Sequence, residues 1–198
     1  MIIGVTGCLA TGTSLAADYI AKNLKADLLI ADKLAHLALK KNSGSFKAIV
    51  SVFGKSILND GGAIDRKRLS EKAFKSKKSL KRLTEIIHPE VIGHIRKKIN
   101  KIHKESSFLV VDGPVLIESG FYKECDKLIV VTSSLVLQLE RAKKHKGIEF
   151  EDALSRISLQ MPLYKKVRYA DYIIDNIGRI SELKTRCNKV AESIRKNK

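Results

Sequence analysis

Glycines and small hydroxyl side chains are concentrated between residues 7 and 14, where the sequence reads Gly-Cys-Leu-Ala-Thr-Gly-Thr-Ser. Residues 1–6 form a short apolar run, and the residues after Ser14 carry apolar side chains at helical spacing. This order predicts a strand, a loop and a helix. Glycines let main-chain N–H groups curl around a phosphate, and a helix N-terminus adds a favourable dipole. The chemistry that this segment could support is therefore phosphate binding.

The spacing follows the P-loop pattern G-x-x-x-x-G-K-[ST] at Gly7, Gly12 and Ser14. In that pattern the final hydroxyl reaches a magnesium ion and the lysine reaches the β- and γ-phosphates. Thr13 occupies the lysine position, so the main-chain donor is kept but the long cation is lost. The alternative interpretation is a glycine-containing turn without a ligand. The position after a strand of the buried type favours phosphate binding.

Two carboxylates follow other predicted strands. Asp32 follows the predicted strand of residues 27–30 after the single residue Ala31, and Asp112 ends the continuous apolar run of residues 108–112. Ligands of open parallel sheets bind at this edge, where strands give way to helices. An aspartate at the start of a helix is also a preferred N-cap, and Asp32 could fill both roles.

Strands alternate with helices along the chain, which predicts an α/β fold with a parallel sheet in a three-layer sandwich. Residues 128–131 and 172–176 are the fourth and fifth predicted strands. Residues 46–104 have a nearly continuous helical pattern, which we expect His88 and Pro89 to break, with Pro89 starting the next helix. Two helices between residues 135 and 159, joined by a polar link with a glycine, predict a mobile lid over phosphates, with an ordinary surface hairpin as the alternative.

The chain has 198 residues and a formal net charge of +17. Residues 65–104 alone contain fourteen Lys and Arg against four acidic residues. Such a charge suits nucleic acid, an anionic membrane or phosphorylated small substrates, but it also suits solvated helix faces. Because no aromatic ladder accompanies the basic residues, we expect no nucleic-acid partner.

No apolar run approaches the roughly 20 residues of a membrane span, so we expect no membrane partner. The N-terminus has no basic segment before an apolar one, which predicts a cytoplasmic protein. The cysteines Cys8, Cys125 and Cys187 lie far apart in sequence and form no metal-type cluster, so we interpret them as structural thiols.

With these features in place, the whole chain resembles the dephospho-CoA kinases, P-loop enzymes that phosphorylate the ribose 3′-hydroxyl of dephospho-CoA in the last step of CoA synthesis. Order and spacing agree at residues 2–7, 31–32, 53–58, 69, 87–89, 114–122, 138–141, 160–161, 170–171 and 174–176.

The resemblance implies a P-loop core (residues 1–32, 106–140 and 166–198), a helical acceptor-binding insertion (33–105) and a short helical lid (141–165). It implies ATP and Mg²⁺ as cofactors, dephospho-CoA as the acceptor, and a monomer or weak homo-oligomer. Asp32 would orient or deprotonate the acceptor hydroxyl, and Arg141 would stabilise the phosphoryl group in transfer. Ser14 would bind the magnesium ion. The implied ATP-binding residues are Gly7, Ala10, Thr11, Gly12, Thr13, Ser14, Leu15 and Asn176, and the implied acceptor-binding residues are His88, Pro114, Leu116 and Glu118.

Three positions depart from the family pattern: Thr13 replaces the loop lysine, Ile30 replaces the first carboxylate of the Asp-Ala-Asp motif, and Lys144-His145 replaces the Arg-Asp pair of the lid. Loss of one preorganised cation would lower the rate by about 10²–10³-fold. Lys144 is a candidate to supply the missing charge. The alternatives are a catalytically inactive nucleotide- or CoA-binding homologue, a kinase for another small hydroxyl acceptor, and a nucleic-acid-binding protein whose affinity would fall steeply with salt.

Overall fold

The computed structural model describes residues 1–102 and 108–197, and side chains are described except those of residues 100–102. The strands are β1 (Ile2–Gly7), β2 (Asp27–Ile30), β3 (Leu109–Asp112), β4 (Lys127–Thr132) and β5 (Tyr172–Asp175). The helices are α1 (Thr13–Leu24), α2 (Ala31–Ala38), α3 (Ser45–Phe53), α4 (Arg66–Ala73), α5 (Lys77–Ile102), α6 (Leu135–Lys146), α7 (Phe150–Leu159), α8 (Leu163–Lys166) and α9 (Ile180–Lys196).

The chain divides into two compact units, Met1–Ile30 with Ile99–Lys198, and Ala31–Lys98. The predicted ranges of the core, the insertion and the lid stay a prediction. The predicted boundary between residues 105 and 106 lies outside the described residues. Among the described helices, none combines the length and apolar composition needed to cross a membrane.

The first unit contains a fully parallel sheet in the order β2-β3-β1-β4-β5. Helices α1 and α9 cover one face, where Ile20 and Leu183 pack with Val5 and Ile129. The opposite face is covered by the chain on either side of α8 and by the segment after β3, packed on Val130. Buried apolar strands between two layers explain why these runs show no polar alternation. The predicted α/β sandwich is therefore confirmed.

The second unit is helical and has its own apolar core, built from Ile49, Phe53, Ile57, Ile64, Leu69 and Ala73. Glu90 of α5 holds the start of α3, because its Oε2 accepts hydrogen bonds from the main-chain N–H of Ser45 (3.0 Å) and from the Ser45 hydroxyl (2.7 Å).

The predicted break at His88 and Pro89 is wrong, because α5 continues through Pro89. Proline removes one main-chain hydrogen bond and crowds the preceding turn, at a cost of about 3 kcal/mol. Ile86 and Ile87 before the proline pack on the apolar core of the unit, and Val91 and Ile95 after it are buried. Packing on both sides, together with the Glu90–Ser45 contacts, outweighs the local preference of proline to end a helix.

Candidate active site

The phosphate loop lies between the end of β1 at Gly7 and the start of α1 at Thr13. A Cβ on Gly7 would be 2.5 Å from Thr11 Oγ1 and 2.6 Å from the Val131 carbonyl oxygen, so no larger residue fits there. Gly12 (φ 93°) and Ala10 (φ 58°) both have left-handed main chain. Such conformations curl the chain tightly, and Gly12 adopts one without steric cost. The loop is therefore tightly curled, and both of its glycines are packed too closely against neighbouring atoms to carry a side chain.

The N-terminus of α1 faces this loop. In the described part of the chain, no side chain caps the helix at Gly12, and the Ser14 side chain is exposed. The first N–H groups of a helix carry a partial positive charge and are suited to binding an anion. The uncapped helix and the curled loop together fit the phosphates of a nucleotide.

Arg141 and Asn176, two predicted site residues that are far from the loop in sequence, lie beside it in the structure. The Asn176 amide Nδ2 donates to the Thr11 carbonyl (2.8 Å), and Arg141 Nη1 donates to the Asn176 carbonyl (2.9 Å). Arg141 Nη1 also donates to the hydroxyl of Ser133 (3.1 Å). Arg141 and Asn176 are therefore anchored to the same side of the phosphate loop, with Asn176 as the direct link.

Thr13 is half-buried, and its Cγ2 would lie 2.8 Å from a Cβ on Gly7. Its side chain thus packs across the base of the loop and carries no cation. Lys144 lies on the same face of α6 as Arg141, one turn towards the C-terminus, and it is exposed. Neighbouring Lys143 is engaged with Glu149 Oε2 at 3.0 Å. Lys144 thus stays a candidate for the missing charge.

The segment after β3 holds the predicted acceptor residues of the first unit. Glu118 Oε1 lies 2.8 Å from the ammonium of Lys166 and accepts the main-chain N–H of Met161 (3.0 Å). The Pro114 carbonyl accepts a hydrogen bond from the same ammonium. Leu116 is buried next to Gly4, so it packs in the core of the sheet. The acceptor contacts of these residues stay a prediction.

The other two predicted residues belong to the second unit. Asp32 is exposed in the first turn of α2, a helix that begins at Ala31 directly after β2. Asp32 is therefore inside the helix and does not occupy the N-cap position, although its charge still favours the helix N-terminus. His88 is half-buried in the middle of α5.

The chemistry of Cys8 is limited by its surroundings. The thiol is buried and donates to the Met161 carbonyl (3.5 Å), and burial raises its pKa above the ordinary value. A protonated thiol is a poor nucleophile. Cys8 is thus a buried, protonated thiol within the loop, in agreement with its interpretation as a structural thiol.

Sequence reasoning missed Lys166 as a site residue. Lys166 differs from the other described lysines by its burial beside the phosphate loop. Its spacing in the sequence gives no sign of this. Asp112 was placed at the ligand edge of the sheet without a role, and the structure buries its carboxylate at the end of β3, paired in register with Val5 of β1.

Comparison with known proteins agrees with this geometry. Residues 1–182 match the family model described as dephospho-CoA kinase. The chain is 40% identical over 192 residues to a dephospho-CoA kinase of Aquifex aeolicus, with 97% of this chain and 96% of the relative covered. A dephospho-CoA kinase structure from Campylobacter jejuni superposes with a TM-score of 0.68 at 31% identity, covering 99% of this chain and 98% of that one.

A shikimate kinase from Acinetobacter baumannii has the same fold, with a TM-score of 0.55 at 16% identity and coverage of 100% of this chain and 94% of that one. The strand order, the uncapped phosphate loop and the near full-length matches agree with one another. The chain belongs to the dephospho-CoA kinase family, whose enzymes phosphorylate dephospho-CoA to CoA.

Proposed function

We propose that this chain transfers the γ-phosphoryl group of ATP to the ribose 3′-hydroxyl of dephospho-CoA, giving CoA and ADP. The observation that carries the proposal is the phosphate loop of residues 7–14 in a chain whose residues 1–182 match the family. In the transfer, a bond forms between the acceptor oxygen and the γ-phosphorus, and the bond from that phosphorus to the β,γ-bridging oxygen breaks. The acceptor hydroxyl also loses its proton in the reaction.

Asp32 is the residue to which we assign that proton. Its carboxylate is exposed, as a base that must meet a substrate hydroxyl has to be. We assign Arg141 to the charge of the phosphoryl group, because Nη1 is anchored by Ser133 and Asn176 while a guanidinium has further N–H donors. The acceptor-binding roles that the resemblance implies for His88, Pro114, Leu116 and Glu118 remain part of this proposal.

The residues at the start of α1 fit a magnesium ion. The exposed hydroxyl of Ser14 suits a hard cation that takes one or two protein ligands and completes its shell with water and substrate phosphates. When bound, the ion would neutralise charge on the β- and γ-phosphates. Ser14 would hold it, and the main-chain groups of residues 10–15 would hold the phosphates.

We also propose that the protein acts in the cytoplasm. All three cysteines are unpaired thiols, the state that a reducing compartment maintains. The expected monomer or weak homo-oligomer stays a prediction.

The test is the initial rate of dephospho-CoA phosphorylation with ATP and magnesium, compared between this chain, Thr13→Lys and the uncharged control Thr13→Met. We expect turnover by the natural chain and an increase of up to about 10²–10³-fold in kcat for Thr13→Lys, since one preorganised cation is restored. ATP binding without turnover in this chain and in Thr13→Lys would contradict the proposal and identify an inactive homologue. Equal rates in all three would instead show that another group already supplies the charge.

A further inference from the structure

Lys166 is the one lysine that the described part of the chain buries completely. A buried ammonium is costly unless it is paired and its N–H groups are bonded. Its Nζ lies 2.8 Å from the Gly7 carbonyl and 2.8 Å from Glu118 Oε1, and it also donates to the Pro114 carbonyl. Three donors thus meet three acceptors, which satisfies the group fully.

The three acceptors belong to two functional segments. Gly7 is the last residue of β1 and the first of the phosphate loop, whereas Pro114 and Glu118 belong to the segment after β3 that holds the proposed acceptor residues. A single side chain therefore connects the ATP side of the site with the acceptor side inside the first unit.

The chain before Lys166 makes further contacts with the same loop. Gln160 Oε1 accepts the main-chain N–H of Leu9 (2.9 Å), and the Met161 carbonyl accepts from the thiol of Cys8 (3.5 Å). Residues 160–166 thus hold three consecutive residues, Gly7, Cys8 and Leu9. This segment directly follows α7, which ends at Leu159.

Lys166 is buried, so its ammonium is not exposed for direct contact with a nucleotide. Its charge is balanced by Glu118, so the pair as a whole exerts little net field on phosphates. What Lys166 can control is the position of the main chain to which it is hydrogen-bonded. A peptide group is planar, so fixing the Gly7 carbonyl also fixes the direction of the Cys8 N–H at the start of the loop.

We infer that Lys166 is a positioning residue that sets the geometry of the phosphate loop and aligns it with the acceptor segment. In-line transfer depends on this alignment, and a misplacement of about 1 Å can cost about 10² in rate. The expected effect on kcat rests on the proposed function. The expected effect on ATP affinity rests on the ATP site alone.

The decisive variant is Lys166→Met, which keeps an unbranched side chain as far as Cε but removes the ammonium. We expect the Kd for ATP to rise about tenfold and kcat to fall about 10²-fold, measured at a temperature at which circular dichroism shows a folded protein. Lys165→Met is the matched control, because Lys165 is an exposed neighbour. We expect it to leave both values unchanged.

Lys166→Met leaves the Glu118 carboxylate without its ion-pair partner, so the melting temperature of this variant should fall. The double variant Lys166→Met/Glu118→Gln removes that charge and should recover most of the melting temperature. It should still bind ATP weakly, since the Gly7 and Pro114 carbonyls remain without their donor. A double variant with natural ATP affinity, or a folded Lys166→Met with natural affinity and kcat, would overturn the inference.

Calorimetric titration with ATP alone separates this inference from the proposed function. If the natural chain binds ATP but does not phosphorylate dephospho-CoA, the proposed function fails while the binding comparison still tests Lys166. If the natural chain phosphorylates dephospho-CoA and folded Lys166→Met has the same ATP affinity and the same kcat, only the inference fails.

Discussion

The side-chain amide of Asn176 donates a hydrogen bond of 2.8 Å to the main-chain carbonyl of Thr11, across 165 residues of sequence. Asn176 directly follows β5 and is buried, and its own carbonyl accepts from Arg141. The family resemblance implied only that Asn176 is one of the ATP-binding residues. The structure adds that it supports the phosphate loop directly.

Replacing Asn176 with alanine should weaken ATP binding. The buried Thr11 carbonyl would lose its donor, at a cost of about 1–3 kcal/mol, and we expect the Kd for ATP to rise about tenfold. Calorimetric titration measures this. Asn188→Ala is the matched control, because it removes a contact of 3.3 Å with Asn23, away from the loop. Equal ATP affinity in Asn176→Ala and the natural chain would contradict a supporting role.

Asp32→Asn should lower kcat without changing the KM for ATP. The amide keeps the shape of the carboxylate but cannot accept the hydroxyl proton, a role worth about 10²–10⁴-fold. Initial rates at saturating substrates test this. The control is Asp18→Asn, which removes an exposed ion pair with Lys22 (2.7 Å). A natural kcat in Asp32→Asn would exclude Asp32 as the base.

Arg141→Lys should lower kcat by about 10²-fold, by analogy with the loss of one preorganised donor. A lysine keeps the charge, but its single ammonium cannot both bond to Ser133 and Asn176 and reach the phosphoryl group. Lys143→Met serves as the control, since it removes a cation from α6 together with its surface contacts to Glu149 and to the ring of Phe150. A similar loss of kcat in Arg141→Lys and Lys143→Met would contradict a specific role of Arg141, because any loss of a native side chain from α6 would then have the same effect.

The free energy of unfolding should decrease in alkaline solution because folding shields the thiols of Cys125 and Cys187 from water. Burial raises the pKa of Cys125 to about 12 and that of Cys187 to about 11, from an ordinary value of 9.0. Above the ordinary value the unfolded chain releases these protons while the folded chain retains them, so rising pH favours unfolding. The stabilising contribution is complete below pH 9 and is lost as the pH rises through the folded values.

Melting temperatures measured from about pH 8 to about pH 12 test this expectation. The natural chain should lose more stability over this range than Cys125→Ala/Cys187→Ala, because lysine and tyrosine titration is common to both proteins. Parallel pH profiles of the two proteins would show that the buried thiols do not carry the effect.

Local patterns in the sequence determined the fold and the location of the phosphate loop. Apolar runs at residues 1–6 and 108–112 predicted buried parallel strands, and the glycines at positions 7 and 12 predicted the turn between β1 and α1. These features depend on near neighbours, so periodicity and residue type report them. Pro89 shows the limit of such rules, because packing on both sides of it carries α5 through a residue that favours a helix end.

Only the tertiary structure decided which distant side chains support the loop. Lys166 bonds to Gly7 across 159 residues, and Asn176 bonds to Thr11 across 165. The sequence contains many lysines, and nothing in their spacing marks the one that is buried. Burial and pairing arise when β1, β4 and the segments around them pack together, and this packing depends on contacts between residues far apart in the chain.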